Sequence, residues 1–163
     1  MESLIVLAAQ VGLRLQEHGL MLATTESCTG GGVAQAVTDI AGSSAWFDCG
    51  FVTYSNDAKM SLLGVPAATL EQFGAVSAET AAAMCAGALR NSKATISLST
   101  TGIAGPGGAV PGKPVGTVFF GWMYGDTIRV ERMLFSGDRH AVRTQTTVHA
   151  LRGLLKLMDE IAE

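Results

Sequence analysis

Leu4, Leu7, Ala8, Val11 and Leu15 fall on one stripe of a 3.6-residue repeat, with Gln16 and Glu17 off it. This predicts an amphipathic helix over 3–18 that Gly19 ends. "LMLATT" at 20–25 reads as a short strand, and after "ESCTGGG" a helical pattern runs to about Asp39. The chain turns at "AGSSAWF", and "CGFVTYS" at 49–55 reads as a second strand. "NDAKMSLLG" predicts a short helix ended by Gly64, and Pro66 suits the first turn of another over 66–73. Ser77 is the candidate N-cap of an alanine-rich helix over 78–91, with Glu79 and Thr80 in its first turn. "ATISLSTT" at 94–101 alternates as a strand, and the glycine- and proline-rich 102–114 reads as a long loop. "VGTVFFGWMY" and "TIRVERMLFS" flank Gly125-Asp126 as an antiparallel hairpin. Asp138 then caps a final helix with Val148, Leu151, Leu155 and Met158 on one face.

Early strands alternating with helices, followed by a hairpin, predict a three-layer α/β/α sandwich. Its sheet is expected to be mixed, mostly parallel, of about five strands, and to end in the antiparallel hairpin. A chain of 163 residues fits a single domain spanning 1–163. Hydrophobic residues make up 48% and charged residues 15%, which argues for a packed core and against disorder. A net charge of −3 gives no general attraction to nucleic acid or an anionic membrane, although one local site can still bind a small anion. Cys28, Cys49 and Cys85 form no CxxC pair, which suits a reducing compartment better than a disulfide framework or zinc site. Without a cationic leader or a long apolar run, the expectation is a cytoplasmic protein.

The candidate chemistry gathers where strands end. Ser27 sits at a strand-to-helix handover, where the N–H groups of Thr29, Gly30 and Gly31 are expected to point outward beside the helix dipole. Such a turn offers a nucleophile and an oxyanion site together. It also reads as a plain N-cap with glycines relieving crowding. Cys28 is the rival nucleophile, or an inert buried thiol. Tyr54, Ser55, Asn56 and Lys59 follow the second strand. A serine hydroxyl needs a base, and none of the three histidines lies in a glycine-rich turn. Lys59 serves as base if burial or a nearby cation lowers its pKa; otherwise it is a solvated surface lysine. Thr101 ends the third predicted strand ahead of a loop that is neither a P-loop nor a dinucleotide fingerprint. Arg139 and Arg143 share one face at the start of the last helix, where an anion or a salt-bridged carboxylate would relieve the conflict with the dipole.

Taken together, "TTESCTGGGVAQAV", "AGSSAWFDCGFVTYSNDAK", "GAVS", "TTGIAGPGG", "KPVGTV" and "GDRHAVR", in this order over about 3–157, resemble the CinA-type C-terminal domain. The resemblance implies hydrolysis of the carboxamide of nicotinamide mononucleotide to nicotinate mononucleotide and ammonia, in pyridine nucleotide recycling. It implies catalytic roles for Ser27, Tyr54, Lys59 and Thr101. The expected scheme has Ser27 as nucleophile and Lys59, assisted by Tyr54, as base, with no cofactor and no metal. Thr29, Gly30, Gly31, Asn56, Gly102, Gly105 and Arg139 are the expected substrate contacts. The expected partners are the mononucleotide and a second copy in a homodimer. The rival readings are a mononucleotide-binding module without turnover and an interaction role linked to competence and the recombinase RecA.

Overall fold

The burial pattern of the strands separates the middle of the sheet from its edges. In the computed structural model, which describes residues 3–162, β1 (Leu22–Glu26) and β3 (Ile96–Gly102) are buried along nearly their whole length. β2 (Phe47–Val52) and β5 (Thr127–Leu134) instead alternate between more and less exposed positions, while β4 (Thr117–Tyr124) is buried up to its last two residues. Strands covered on both faces read this way in the centre, and outer strands keep one wetter face. The sheet order is β2-β1-β3-β4-β5. β1 is parallel to both β2 and β3, and β4 is antiparallel to both β3 and β5, so β4 runs against the other four.

Helices α1 (Leu4–Glu17), α2 (Gly32–Thr38) and α6 (Arg139–Ile161) cover one face. The stripe predicted for α1 supplies Leu7, Ala8, Val11 and Leu15 to a core shared with Val33, Trp46, Phe120, Leu151 and Leu154. Helices α3 (Asn56–Leu63), α4 (Ala67–Phe73) and α5 (Ala78–Arg90) lie on the other face, around Leu63, Val65, Leu70, Met84 and Ala88. The expected three-layer α/β/α arrangement is therefore present. α5 approaches β4 closely because position 121 is glycine. A Cβ there would lie 2.6 Å from Ser99 Oγ and 3.0 Å from the Ala81 carbonyl oxygen.

Side-chain caps set several helix starts. Ser55 Oγ accepts the Ala58 N–H, Ser77 Oγ the Thr80 N–H and Asp138 Oδ1 the Ala141 N–H, each worth about 1 kcal/mol. Pro66, expected within the first turn of its helix, stands one residue earlier as the N-cap of α4. The second strand, expected over 49–55, runs over Phe47–Val52, which leaves Thr53, Tyr54 and Ser55 in the turn before α3.

The connections place the site. From β1 the chain passes through α2 to β2 on one side, and from β2 through three helices to β3 on the other side of β1. The carboxyl ends of β1 and β3, paired at Glu26 and Thr100, therefore lie at the point where the strand order reverses. Open α/β sheets bind ligands at that point. Among the described residues, no helix is long and apolar enough to cross a membrane.

Candidate active site

Ser27 is the first residue past β1, and its N–H still pairs with the Thr100 carbonyl oxygen at 2.9 Å. The turn that follows closes on itself: the Gly30 N–H donates to Ser27 O and the Gly32 N–H to Thr29 O, both at 3.0 Å. Gly30 and Gly31 adopt φ of +60° and +101°, the left-handed region in which a Cβ is penalised, so two glycines in succession have a backbone reason. The amino end of α2 is not left open. Glu26, fully buried, accepts the Val33 N–H at 2.9 Å, the Ala34 N–H at 3.0 Å and the Thr29 hydroxyl at 2.5 Å. From the outer side, the Arg143 guanidinium donates to the carbonyl oxygens of Cys28 and Thr29, at 3.1 and 3.2 Å.

Lys59 lies one turn into α3, only 1% exposed. Its Nζ donates to Ser27 Oγ at 3.0 Å, to Thr53 O at 2.8 Å and to Tyr54 O at 3.3 Å. The two carbonyls are available because β2 stops at Val52, before Thr53 and Tyr54. Burial of the amine disfavours its charged form and pushes its pKa below the ordinary lysine value, with a charge on Cys28 acting the other way. The surface-lysine reading is thereby set aside.

The two residues face a cavity of about 310 Å³, also lined by Cys28, Tyr54, Asn56, Thr101 and Arg139. Gly102, Gly105 and the glycines 107 and 108 complete one wall. Thr101 is 1% exposed, and its hydroxyl donates to Ala75 O at 2.7 Å, tying the loop before α5 to the end of β3. Tyr54 is largely exposed; its hydroxyl accepts from Arg139 Nη2 at 3.0 Å, and its bond from Lys59 is made by the main-chain oxygen. Arg139 Nη1 donates to Gly105 O at 2.8 Å, so one guanidinium bridges the Tyr54 side and the glycine loop at the cavity mouth. Thr29, Gly30 and Gly31 do not line this cavity. The Gly30 N–H is already taken by Ser27 O, whereas the Cys28 N–H has no main-chain acceptor among the described residues. The two arginines of α6 divide: Arg139 faces the cavity, and Arg143 holds the turn behind Ser27 through carbonyls.

Cys28 is buried, and burial pushes its thiol up to about 12, while its own N–H, Arg143 and Lys59 pull weakly down and Glu26 pushes further up. Burial thus disfavours the Cys28 thiolate, and it is Ser27 Oγ that the Lys59 amine meets.

Glu26 and Arg143 are the two members of the constellation whose roles the sequence did not disclose. A charged residue ending an otherwise uncharged central strand was the available signal for Glu26, since a covered strand tolerates a carboxylate only when its oxygens are bonded. Arg143 offered no such signal, because carbonyl partners more than a hundred residues away follow from the fold alone.

A family model for the CinA C-terminal domain matches residues 5–158. A nicotinamide-nucleotide amidohydrolase PncC from Pseudomonas putida is 48% identical over 160 residues, covering 98% of this chain and all of that one. The PncC of Escherichia coli K12 is 52% identical over 155 residues, 93% of this chain and 92% of that one. Among solved structures, a CinA superfamily protein from Klebsiella pneumoniae superposes with a TM-score of 0.95 at 37% identity, covering 98% of this chain and 99% of that one. The competence/damage inducible protein CihA from Agrobacterium tumefaciens gives 0.93 at 44% identity, with 96% of each chain covered. The chain belongs to the CinA C-terminal domain family.

Proposed function

We propose that the protein is a nicotinamide-nucleotide amidohydrolase, which hydrolyses the carboxamide of nicotinamide mononucleotide to nicotinate mononucleotide and ammonia. Relatives near 50% identity over almost the whole chain carry that name. The observation that carries the mechanism is the buried Lys59 amine, held 3.0 Å from Ser27 Oγ by two main-chain carbonyls.

A charged Lys59 donates all three of its N–H bonds to these neighbours. A neutral Lys59 has two, which the carbonyls of Thr53 and Tyr54 take, and its lone pair then points at the Ser27 hydroxyl. In that state Lys59 accepts the Ser27 proton as Oγ attacks the carboxamide carbon. The Cys28 N–H, on a residue that lines the cavity, is the donor assigned to the oxygen that gains charge. Collapse of the tetrahedral adduct breaks the C–N bond, and the proton held by Lys59 leaves with ammonia. Water then attacks the acyl-serine under the same base, which releases the carboxylate and restores Ser27. Tyr54 assists Lys59 through its main-chain oxygen, while its hydroxyl steadies Arg139.

Among the described residues the Arg139 guanidinium bonds two neutral groups at the cavity mouth, which suits it to the substrate phosphate. Asn56, Gly102 and Gly105 supply the remaining walls for the nucleotide. A pyridinium cation entering beside Lys59 favours the neutral amine, so substrate binding itself primes the base. The test is ammonia release from nicotinamide mononucleotide by wild type and by Ser27→Ala. Loss on the order of 10³-fold or more is expected in the variant, and equal release overturns the assignment.

A further inference from the structure

We propose that Glu26 is a positioning residue for catalysis, fixing the Ser27 hydroxyl by holding the turn that carries it. The proposal rests on the reading of Ser27 as nucleophile.

Glu26 is the residue immediately before Ser27, and none of its side chain is exposed. Its neighbours all donate: Thr29 Oγ1 and the Val33 N–H to Oε1, and the Ala34 N–H to Oε2. Because the single Thr29 hydroxyl proton goes to the carboxylate, the 2.8 Å contact between Thr29 Oγ1 and Thr100 Oγ1 is donated by Thr100. A chain of hydrogen bonds therefore runs from β3 through Thr100 and Thr29 to Glu26, and from Glu26 into the first turn of α2. Thr100 also receives the Ser27 N–H on its carbonyl, so both ends of the chain meet the backbone on either side of the reacting oxygen. The carboxylate occupies the amino end of α2, which a nucleophile turn would otherwise present to a ligand. Here that end serves as an anchor instead.

Both carboxylate oxygens face a helix N–H. No rotation of a glutamine amide in the same place satisfies the set, because its NH₂ must meet one of those donors. The turn then relaxes to relieve the opposed donors and carries Ser27 Oγ with it. A displacement near 1 Å at a reacting atom lowers rates by about 10²-fold. Substrate binding depends on the opposite wall and on Arg139, which Glu26 does not touch, so the loss falls on kcat.

The test compares wild type, Glu26→Gln, Thr29→Val and Ser27→Ala in ammonia release, in covalent labelling by a fluorophosphonate probe and in thermal unfolding. Glu26→Gln is expected to lower kcat by about 30- to 100-fold with KM within about threefold, and to slow labelling of Ser27 in parallel. Thr29→Val removes one of the three donors to Glu26, and the acceptor of the Thr100 hydroxyl, while keeping the side-chain shape, so a smaller loss in kcat is expected, about 5- to 20-fold, again with KM steady. Folded Glu26→Gln with kcat and labelling rate near wild type overturns the proposal. Should Glu26→Gln not fold, an unchanged kcat in Thr29→Val overturns it instead. Failure of the underlying reading looks different: Ser27→Ala then keeps releasing ammonia and the wild type takes no label at Ser27, which overturns both.

Discussion

Lys59 Nζ stands 3.0 Å from Ser27 Oγ across 32 positions of chain, and the amine reaches that point along a path almost closed to solvent. The carbonyls of Thr53 and Tyr54 fix two of the three directions around the nitrogen, which leaves the third for the serine. A helix start capped by Ser55 sets where Lys59 begins, and the end of β1 sets where Ser27 begins. The pair is thus set by the end of a strand and the first turn of a helix.

Replacing Lys59 tests the base directly. Lys59→Met is expected to lower kcat by about 10²–10⁴-fold, the usual contribution of a positioned general base. Lys59→Arg restores the charge without the function, because a guanidinium with a pKa above about 12 cannot accept a proton at neutral pH. Steady-state ammonia release from both variants is the measurement. An arginine variant near wild type would mean that Lys59 acts as a cation.

The pH dependence follows from the direction of the Lys59 shift. Burial holds its pKa below the lysine value, and the active form is the neutral amine, so kcat/KM rises with pH through that lowered pKa and then levels off. The plateau is expected before about pH 10.4, where an unperturbed lysine titrates. A rate–pH profile of wild type that keeps climbing past that point contradicts a buried base. In Lys59→Met the rising limb is expected to vanish along with most of the rate.

Cys28 and Ser27 are neighbours in the cavity lining, and their chemistry separates cleanly. Burial pushes its thiol up to about 12, which disfavours the thiolate that a cysteine nucleophile needs. Cys28→Ala is expected to keep ammonia release within about tenfold of wild type, while Ser27→Ala loses on the order of 10³-fold or more. The reverse ordering would transfer the nucleophile to sulfur.

Much of this arrangement is legible in the sequence alone. The stripe of α1, the caps Ser77 and Asp138, the hairpin around Gly125 and the three-layer sheet follow from local patterning, which needs only neighbours in the chain. Ser27 and Lys59 were legible as candidates because both stand just past strand ends and carry the residue types that acyl transfer needs. Their contact is expected through the family resemblance alone, since residue spacing does not show that β1 and β2 are adjacent. The N–H groups expected to face outward at Thr29 to Gly31 belong to residues that do not line the cavity. A buried carboxylate from the preceding strand takes the helix N–H groups, and Ser27 takes that of Gly30. Arg139 reads from the sequence as the partner of an anion or of a carboxylate at a helix start, and the two groups it bonds here, Tyr54 Oη and Gly105 O, lie 85 and 34 positions away.

Arg139 and Tyr54 give a prediction about binding. The guanidinium holds the glycine loop and the tyrosine together at the mouth, and it is the cation suited to a phosphate. Arg139→Met is expected to raise KM for nicotinamide mononucleotide by about 10-fold or more with a smaller change in kcat, since loss of a charge-assisted bond amounts to about 1.5–3 kcal/mol. Tyr54→Phe removes only the hydroxyl on Arg139 and leaves the carbonyl on Lys59, so kcat within about threefold and a modest rise in KM are expected. A large kcat loss in Tyr54→Phe would give its hydroxyl a direct part in the proton transfer.

Lys59 also links stability to pH, with a sign opposite to that of most surface lysines. Its folded pKa is lowered, so at pH values below that pKa both states hold the proton and the native state carries the full penalty of a buried charge. Between the lowered pKa and about 10.4 the folded protein has lost the proton while the unfolded chain still binds it. The unfolded state then binds more protons, and stability rises with pH across that window. Lys59→Met has no such group, so unfolding free energies of the two proteins, measured in urea at about pH 7 and about pH 10, are expected to change by different amounts. Wild type gains relative to the variant as pH rises. Taking the difference cancels the other alkaline titrations, which both proteins share, and a wild type that instead loses ground would mean that the native fold stabilises the ammonium and that Ser27 faces a donor.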